Sequence, residues 1–178
     1  MLRKLIWNFL RERPALLIET LLDEAADYRF DIDVARLPKI ARRSLRIRQI
    51  DAGSCNACEW ECAALNNPVY DIQRLGIDFV ASPRHADILM VTGPVSRQME
   101  RALVKTVQAT PEPRIVIACG DCAIDGGIYR GSFAVRDGVG NVMPVHLKIP
   151  GCPPSPAQIV TALVVLNKAL SSLPDRKT

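Results

Sequence analysis

The sequence predicts an α/β fold, a parallel sheet with helices on both faces, with a ligand site outside the C-terminal ends of its strands. Three observations carry that expectation. Residues 88–92 (I-L-M-V-T) and 114–119 (R-I-V-I-A-C) are short, continuous apolar runs, the mark of strands buried on both faces. Helical stretches alternate with them, as crossover connections between parallel strands require. The cysteines gather where predicted strands end, which is where open α/β sheets collect their ligands.

Each element has its own local reason. Residues 44–50 (S-L-R-I-R-Q-I) alternate polar and apolar and read as a strand running into a turn-rich loop at 51–58. Residues 58–66 form a helix that Asn66, Asn67 and Pro68 terminate, and 70–75 a second, short one. A short strand follows at 76–81. The buried strand at 88–92 stops at Gly93-Pro94, and Ser96 caps a helix over 96–109 that Pro111 and Pro113 close off. After the strand at 114–119 the next is expected at 142–147. A long helix over 155–170 closes the chain, with Ser155 at its N-cap and Pro156 in its first turn.

The 178 residues suit one domain with one core and an arm, divided as an N-terminal arm over 1–44 and an α/β domain over 45–178. The arm carries the charge. Residues 1–50 hold 11 Lys/Arg against 7 Asp/Glu, whereas 51–178 hold 12 against 12. Arg36, Lys39, Arg42, Arg43, Arg46 and Arg48 form a basic run with no acid among them. Without a recognition-helix signature or interleaved aromatics, that run does not read as a nucleic-acid surface. Leu2, Leu5, Ile6, Phe9 and Leu10 make one apolar helical face that suits either packing on its own domain or lying on a membrane or membrane subunit. Residues 28–44 read as an extended or irregular connection. No apolar run approaches the ~20 residues of a membrane span, and no secretory leader is recognisable. The expected location is the cytoplasm or the cytoplasmic face of a membrane, where thiols are ligands more often than disulfides.

The six cysteines are Cys55, Cys58, Cys62, Cys119, Cys122 and Cys152. A cubane iron–sulfur cluster takes four thiolates. Cys55/Cys58, Cys119/Cys122 and Cys152 stand in three Gly- or Pro-bearing turns, three loops that are expected to converge on one sheet edge. A zinc ribbon spaces its two knuckles by about 15–20 residues, far closer than these, and leaves Cys152 idle. A thioredoxin-like dithiol at Cys55–Cys58 leaves the other loops unexplained. Cys62, four residues after Cys58 on a helix, reads as a core thiol. Glu59 reads as a solvated helix face or a partner's salt bridge. Glu61 stands open between that and a carboxylate taking up a proton on cluster reduction. Arg84 reads either as charge compensation near a cluster or as a partner of Asp87 or a turn cap, His85 has no second His with which to bind metal, and His146 reads as structural. No phosphate-cradling glycine motif is present, so neither NAD nor flavin is expected to bind.

Four segments carry a family resemblance. Gly53-Ser54-Cys55-Asn56-Ala57-Cys58-Glu59-Trp60-Glu61 resembles the first cluster motif of small subunits of energy-converting [NiFe] hydrogenases, of the formate hydrogenlyase and hydrogenase-4 type. Ser82-Pro83-Arg84-His85-Ala86-Asp87 with Thr92-Gly93-Pro94-Val95, Gly120-Asp121-Cys122-Ala123 with Gly126-Gly127, and Pro150-Gly151-Cys152-Pro153-Pro154 complete the match over roughly residues 45–170. The homologous B-type subunit of respiratory NADH–quinone oxidoreductase shares the last three. The resemblance implies a flavodoxin-like fold, one [4Fe–4S] cluster on Cys55, Cys58, Cys122 and Cys152, and Cys119 as a spare thiol. It further implies an oxidoreductase subunit that relays electrons to or from a large-subunit catalytic centre and is not catalytic alone. The implied partners are that large subunit, of the hydrogenase or NADH–quinone oxidoreductase 49-kDa type, a ferredoxin-like iron–sulfur subunit and integral membrane subunits. The respiratory branch carries two adjacent cysteines in its first motif. The C-x-x-C spacing here points to the hydrogenase branch, with transfer to quinone as the alternative. Glu61 matches a Glu present in both branches.

Overall fold

The computed structural model describes residues 28, 30–38, 40 and 44–172; the proposed helix over 2–10 lies outside them. The sheet has six strands: β1 (Asp31–Ile32), β2 (Leu45–Asp51), β3 (Ile77–Phe79), β4 (Ile88–Thr92), β5 (Ile115–Cys119) and β6 (Leu147–Ile149). They lie in the order β1-β6-β5-β4-β2-β3. All pairings are parallel except β1–β6, where Asp31 faces Lys148 and their side chains pair at 2.6 Å. Setting β1 aside, β3-β2-β4-β5-β6 is the flavodoxin order, whose direction reverses between β2 and β4. The α/β expectation is met.

Among the described residues the α-helices are α1 (Ala57–Ala64), α2 (Arg97–Ala109), α3 (Asp121–Asp125) and α4 (Pro156–Ser172). Ser96 caps α2 by accepting the Met99 N–H at 3.2 Å. At α4, Ser155 Oγ accepts the Gln158 N–H at 3.3 Å and Gln158 Oε1 accepts the Ser155 N–H at 2.8 Å, a reciprocal capping box. Strand alternation splits the core in two. Ile88, Met90, Ile115 and Ile117 pack with Ile159, Leu163 and Leu166 of α4 and Cys62 and Leu65 at α1. Leu89, Val91, Val116 and Ala118 face Leu103 of α2 and Val139. Both faces of β4 and β5 are therefore buried, which explains their unbroken apolar runs.

Three expectations shift. The strand expected at 142–147 is instead β6, Leu147–Ile149. Pro144 lacks an amide to donate to the ladder, and pairing begins as the His146 N–H donates to Val116 C=O at 2.9 Å. The segment at 70–75 is a single 3-10 turn over Ile72–Leu75. The connection over 28–44 contains β1 and a 3-10 turn at Val34–Arg36. No helix among the described residues is long and apolar enough to cross a membrane.

Ile117 is fully buried in the middle of β5. Replacing it with Ala is expected to cost about 2–5 kcal/mol, read as a lower denaturant midpoint in equilibrium unfolding.

Candidate metal centre

Loops leaving the C-terminal ends of β2, β5 and β6 build the site. After β2, Asp51 Oδ1 accepts the N–H groups of Gly53 and Ser54 at 2.8 Å each, and Ser54 Oγ accepts the Asn56 N–H at 3.1 Å. This tight turn leaves Cys55 exposed and sets Cys58, half-buried, in the first turn of α1. Gly93, beyond β4, packs beneath it at φ +84°. A Cβ there would lie 2.6 Å from Ser54 N, so only glycine fits.

The other two loops are clamped to each other. The Asp121 N–H donates to Gly151 C=O at 2.9 Å, and Asp121 Oδ1 accepts the Gly151 N–H at 2.8 Å. The Gly120 N–H donates to Ile149 C=O at 2.8 Å. A Cβ on Gly120 would stand 2.6 Å from Cys58 Sγ and 3.4 Å from Gly151 C=O, so this glycine touches both other loops. A Cβ on Gly127 would lie 3.0 Å from Cys122 Sγ.

Electrostatics report the same convergence. Burial pushes the Cys58 thiol up to about 12, and the charges of Glu59, Cys62, Cys122 and Cys55 push the same way. Burial also raises Cys122, reinforced by Cys152, Cys55 and Asp121 and opposed by a backbone hydrogen bond at Ile128. Cys58 thus feels Cys55 and Cys122, and Cys122 feels Cys55 and Cys152, so the three loops bring these thiols toward one another. Thiols this close resist ionising together, and bound cations relieve that repulsion. An all-thiol donor set from three loops, walled by glycines where a side chain would intrude, fits a cubane cluster. Among the described residues, no group of three or more His, Cys, Asp or Glu side chains is arranged to hold a single metal ion.

Cys119 and Cys62 are fully buried in the core beneath this opening. A hydrogen bond to Cys62 and then burial push the Cys119 thiol well above its ordinary value, and Cys62 Sγ lies 3.5 Å from Met90 Sδ. Arg84 and His85, by contrast, lie exposed ahead of β4, at the opposite end of the sheet from the cysteines. There the Arg84 N–H donates to Ser82 Oγ at 3.4 Å. The charge-compensating reading of Arg84 fails on position. His146 is structural, its Nδ1 accepting the Val116 N–H at 3.0 Å while burial lowers its pKa.

Glu61 is half-buried on α1. Glu59 is not a solvated residue: its Oε1 forms a short hydrogen bond with Thr92 Oγ1, and its Oε2 is buried. The sequence held a signal for this. Glu59 lies three residues before the core thiol Cys62, on the same helical face. Asp51 carried a local signal, an Asx turn onto Gly53 and Ser54, whereas Thr92 and Asp121 carried none because their partners come from distant segments.

Residues 55–166 match the family described as NADH ubiquinone oxidoreductase, 20 Kd subunit. The chain is 44% identical to formate hydrogenlyase subunit 7 of Escherichia coli over 69% of its own length and 48% of that protein's, so it spans about half of that relative. It is 38% identical to the probable membrane-bound hydrogenase subunit mbhJ of Pyrococcus furiosus, covering 82% of this chain and 87% of that one. Among solved structures, a chain of the membrane-bound sulfane sulfur reductase, an archaeal respiratory membrane complex, superposes with a TM-score of 0.64 at 30% identity. That match covers 72% of this chain and 71% of the other.

With Cys58 held as a thiol far above the ordinary cysteine value of about 8.5, iodoacetamide is expected to modify exposed Cys55 and Cys152 before Cys58 in the metal-free chain. The gap narrows as the pH rises toward 12. Peptide mass spectrometry at timed intervals reads the order.

Proposed function

Since the chain belongs to the NADH ubiquinone oxidoreductase 20 Kd subunit family, we propose that it holds one [4Fe–4S] cluster on Cys55, Cys58, Cys122 and Cys152. It is an oxidoreductase subunit, and in this reading it relays electrons to or from the catalytic centre of a [NiFe]-hydrogenase-type large subunit. One observation supports the proposal: three cysteine-bearing loops leave one sheet edge, Gly120 of one passes against the Cys58 sulfur of another, and the Cys58 and Cys122 thiols are each raised by burial and by neighbouring thiols. When bound, the cluster supplies a one-electron couple. The protein's part is to hold four thiolates in place, to seal the inner side with the buried Cys62 and Cys119, and to lend backbone amides that tune the couple. Glu61, one turn beyond Cys58, is the carboxylate assigned to compensating proton uptake.

The C-x-x-C spacing of the first motif favours the hydrogenase type over transfer to quinone. Nickel in the co-purified large subunit supports that choice, and a nickel-free, quinone-reducing complex overturns it. The partners in this reading are the large subunit, a ferredoxin-like subunit and integral membrane subunits, with the chain peripheral on the cytoplasmic face. Exposed apolar side chains stand next to the ligands: Trp60 two residues after Cys58, and Ile128 and Phe133 on the loop after Cys122, exposed by 69%, 77% and 87%. Large apolar residues left in water beside a functional opening suit an interface with a partner.

Anaerobic purification is expected to yield about four irons and four sulfides per chain, with the EPR signal of a reduced cubane. Cys122→Ser is expected to lose the cluster and Cys119→Ser to keep it. A zinc-only preparation, or the reverse pattern of the two variants, refutes the assignment. Ile128→Glu combined with Phe133→Glu is expected to abolish co-purification of the large subunit while leaving the iron content intact; unimpaired capture rules this surface out.

A further inference from the structure

Thr92 is the last residue of β4 and is fully buried. Its C=O accepts the Ala52 N–H at 2.9 Å, and its hydroxyl lies 3.2 Å from Ile50 C=O, so it is already tied to the exit of β2. The same hydroxyl forms the short hydrogen bond with Glu59 Oε1. One buried threonine therefore joins β4, the end of β2 and the first turn of α1.

Nothing in the packing of α1 asks for a carboxyl there. The next residue inward on that face, Cys62, meets Met90 and the apolar core. Glu59 Oε2 is buried with no hydrogen-bond partner, an arrangement that is destabilising. An apolar residue would avoid that cost. Glu59 does instead what an apolar residue does not: it pins the rotation of the first turn of α1 to the end of β4. Cys58 is its immediate neighbour, and its sulfur sits close against Gly120, at the meeting point with the Cys122 and Cys152 loops.

We propose that Glu59 and Thr92 are positioning residues of the cysteine site, their part-buried hydrogen bond fixing the first turn of α1 so that the Cys58 sulfur is held against Gly120 and toward the Cys122 loop. The inference rests on the cluster reading above and adds two residues that bind no iron themselves.

The test uses the full-length chain, reconstituted anaerobically with iron and sulfide. Thr92→Val removes the hydroxyl at nearly constant shape, and Thr92→Ser keeps it. Glu59→Asp keeps the carboxylate but withdraws it by one methylene. Thr92→Val and Glu59→Asp are each expected to speed iron loss to a chelator about tenfold or more, the effect of removing a group that orients a metal ligand, and to change the EPR line shape of the reduced cluster. Thr92→Ser is expected to match wild type in both. The double variant Thr92→Val/Glu59→Asp is expected to be no worse than the worse single, because both break one link. Unchanged iron retention and line shape in the single variants overturn the inference, as do additive effects in the double or a Thr92→Ser as damaged as Thr92→Val. If Thr92→Val does not fold, Glu59→Asp and Thr92→Ser decide by the same two readouts. A wild-type chain that takes up no iron overturns the cluster reading and this inference together; an iron-loaded wild type with indifferent variants overturns this inference alone.

Discussion

The backbone of Gly120 passes so close to Cys58 that a methyl group in its place would sit 2.6 Å from the sulfur. The site depends on that approach. Gly120 leaves β5 and leads directly into Asp121, whose amide and carboxylate grip Gly151 from both sides. Two residues thus fix the Cys122 loop to the Cys152 loop and press both against the turn carrying Cys58. The parallel register below makes this possible. Thr92 pairs with Cys119, and Cys119 with Ile149, so the strands end level and their loops start from a common edge.

Strand parity separates the sulfurs. Cys119 closes β5 on the same face as Ile115 and Ile117, so it is committed to the core with them. Cys122 stands beyond the strand, in α3, at the opening. One turn of chain divides a thiol sealed beneath the site from one that borders it. The same logic governs α1, where the core-facing position of Cys62 carries Glu59 inward and leaves Trp60 in solvent.

Iron–sulfur chemistry asks for soft donors in a setting that excludes competing groups while leaving the electron a way out. The core below the thiols is apolar and sulfur-lined, and the rim is made of exposed apolar side chains. A centre placed there would be insulated on the protein side and open toward the exposed Trp60, Ile128 and Phe133. The family match and the shared fold with a chain of a respiratory membrane complex agree with a component made to work inside a larger assembly.

The sequence by itself determined the fold class, the identity of β2, β4 and β5, the caps of α2 and α4, and the edge where the cysteines gather. Those features follow from hydrophobic period, turn residues and capping, which are local. It placed the last strand several residues early, because Val142, Met143 and Val145 look like a strand until Pro144 and the pairing with β5 are taken into account. It left Arg84 a choice that only position decides, and the tertiary structure set it at the far end of the sheet. The inward turn of Glu59, its bond to Thr92 and the Asp121–Gly151 clamp also belong to the tertiary structure. Each depends on which segments become neighbours, and that is fixed by register and crossover geometry between elements rather than by the residues on either side.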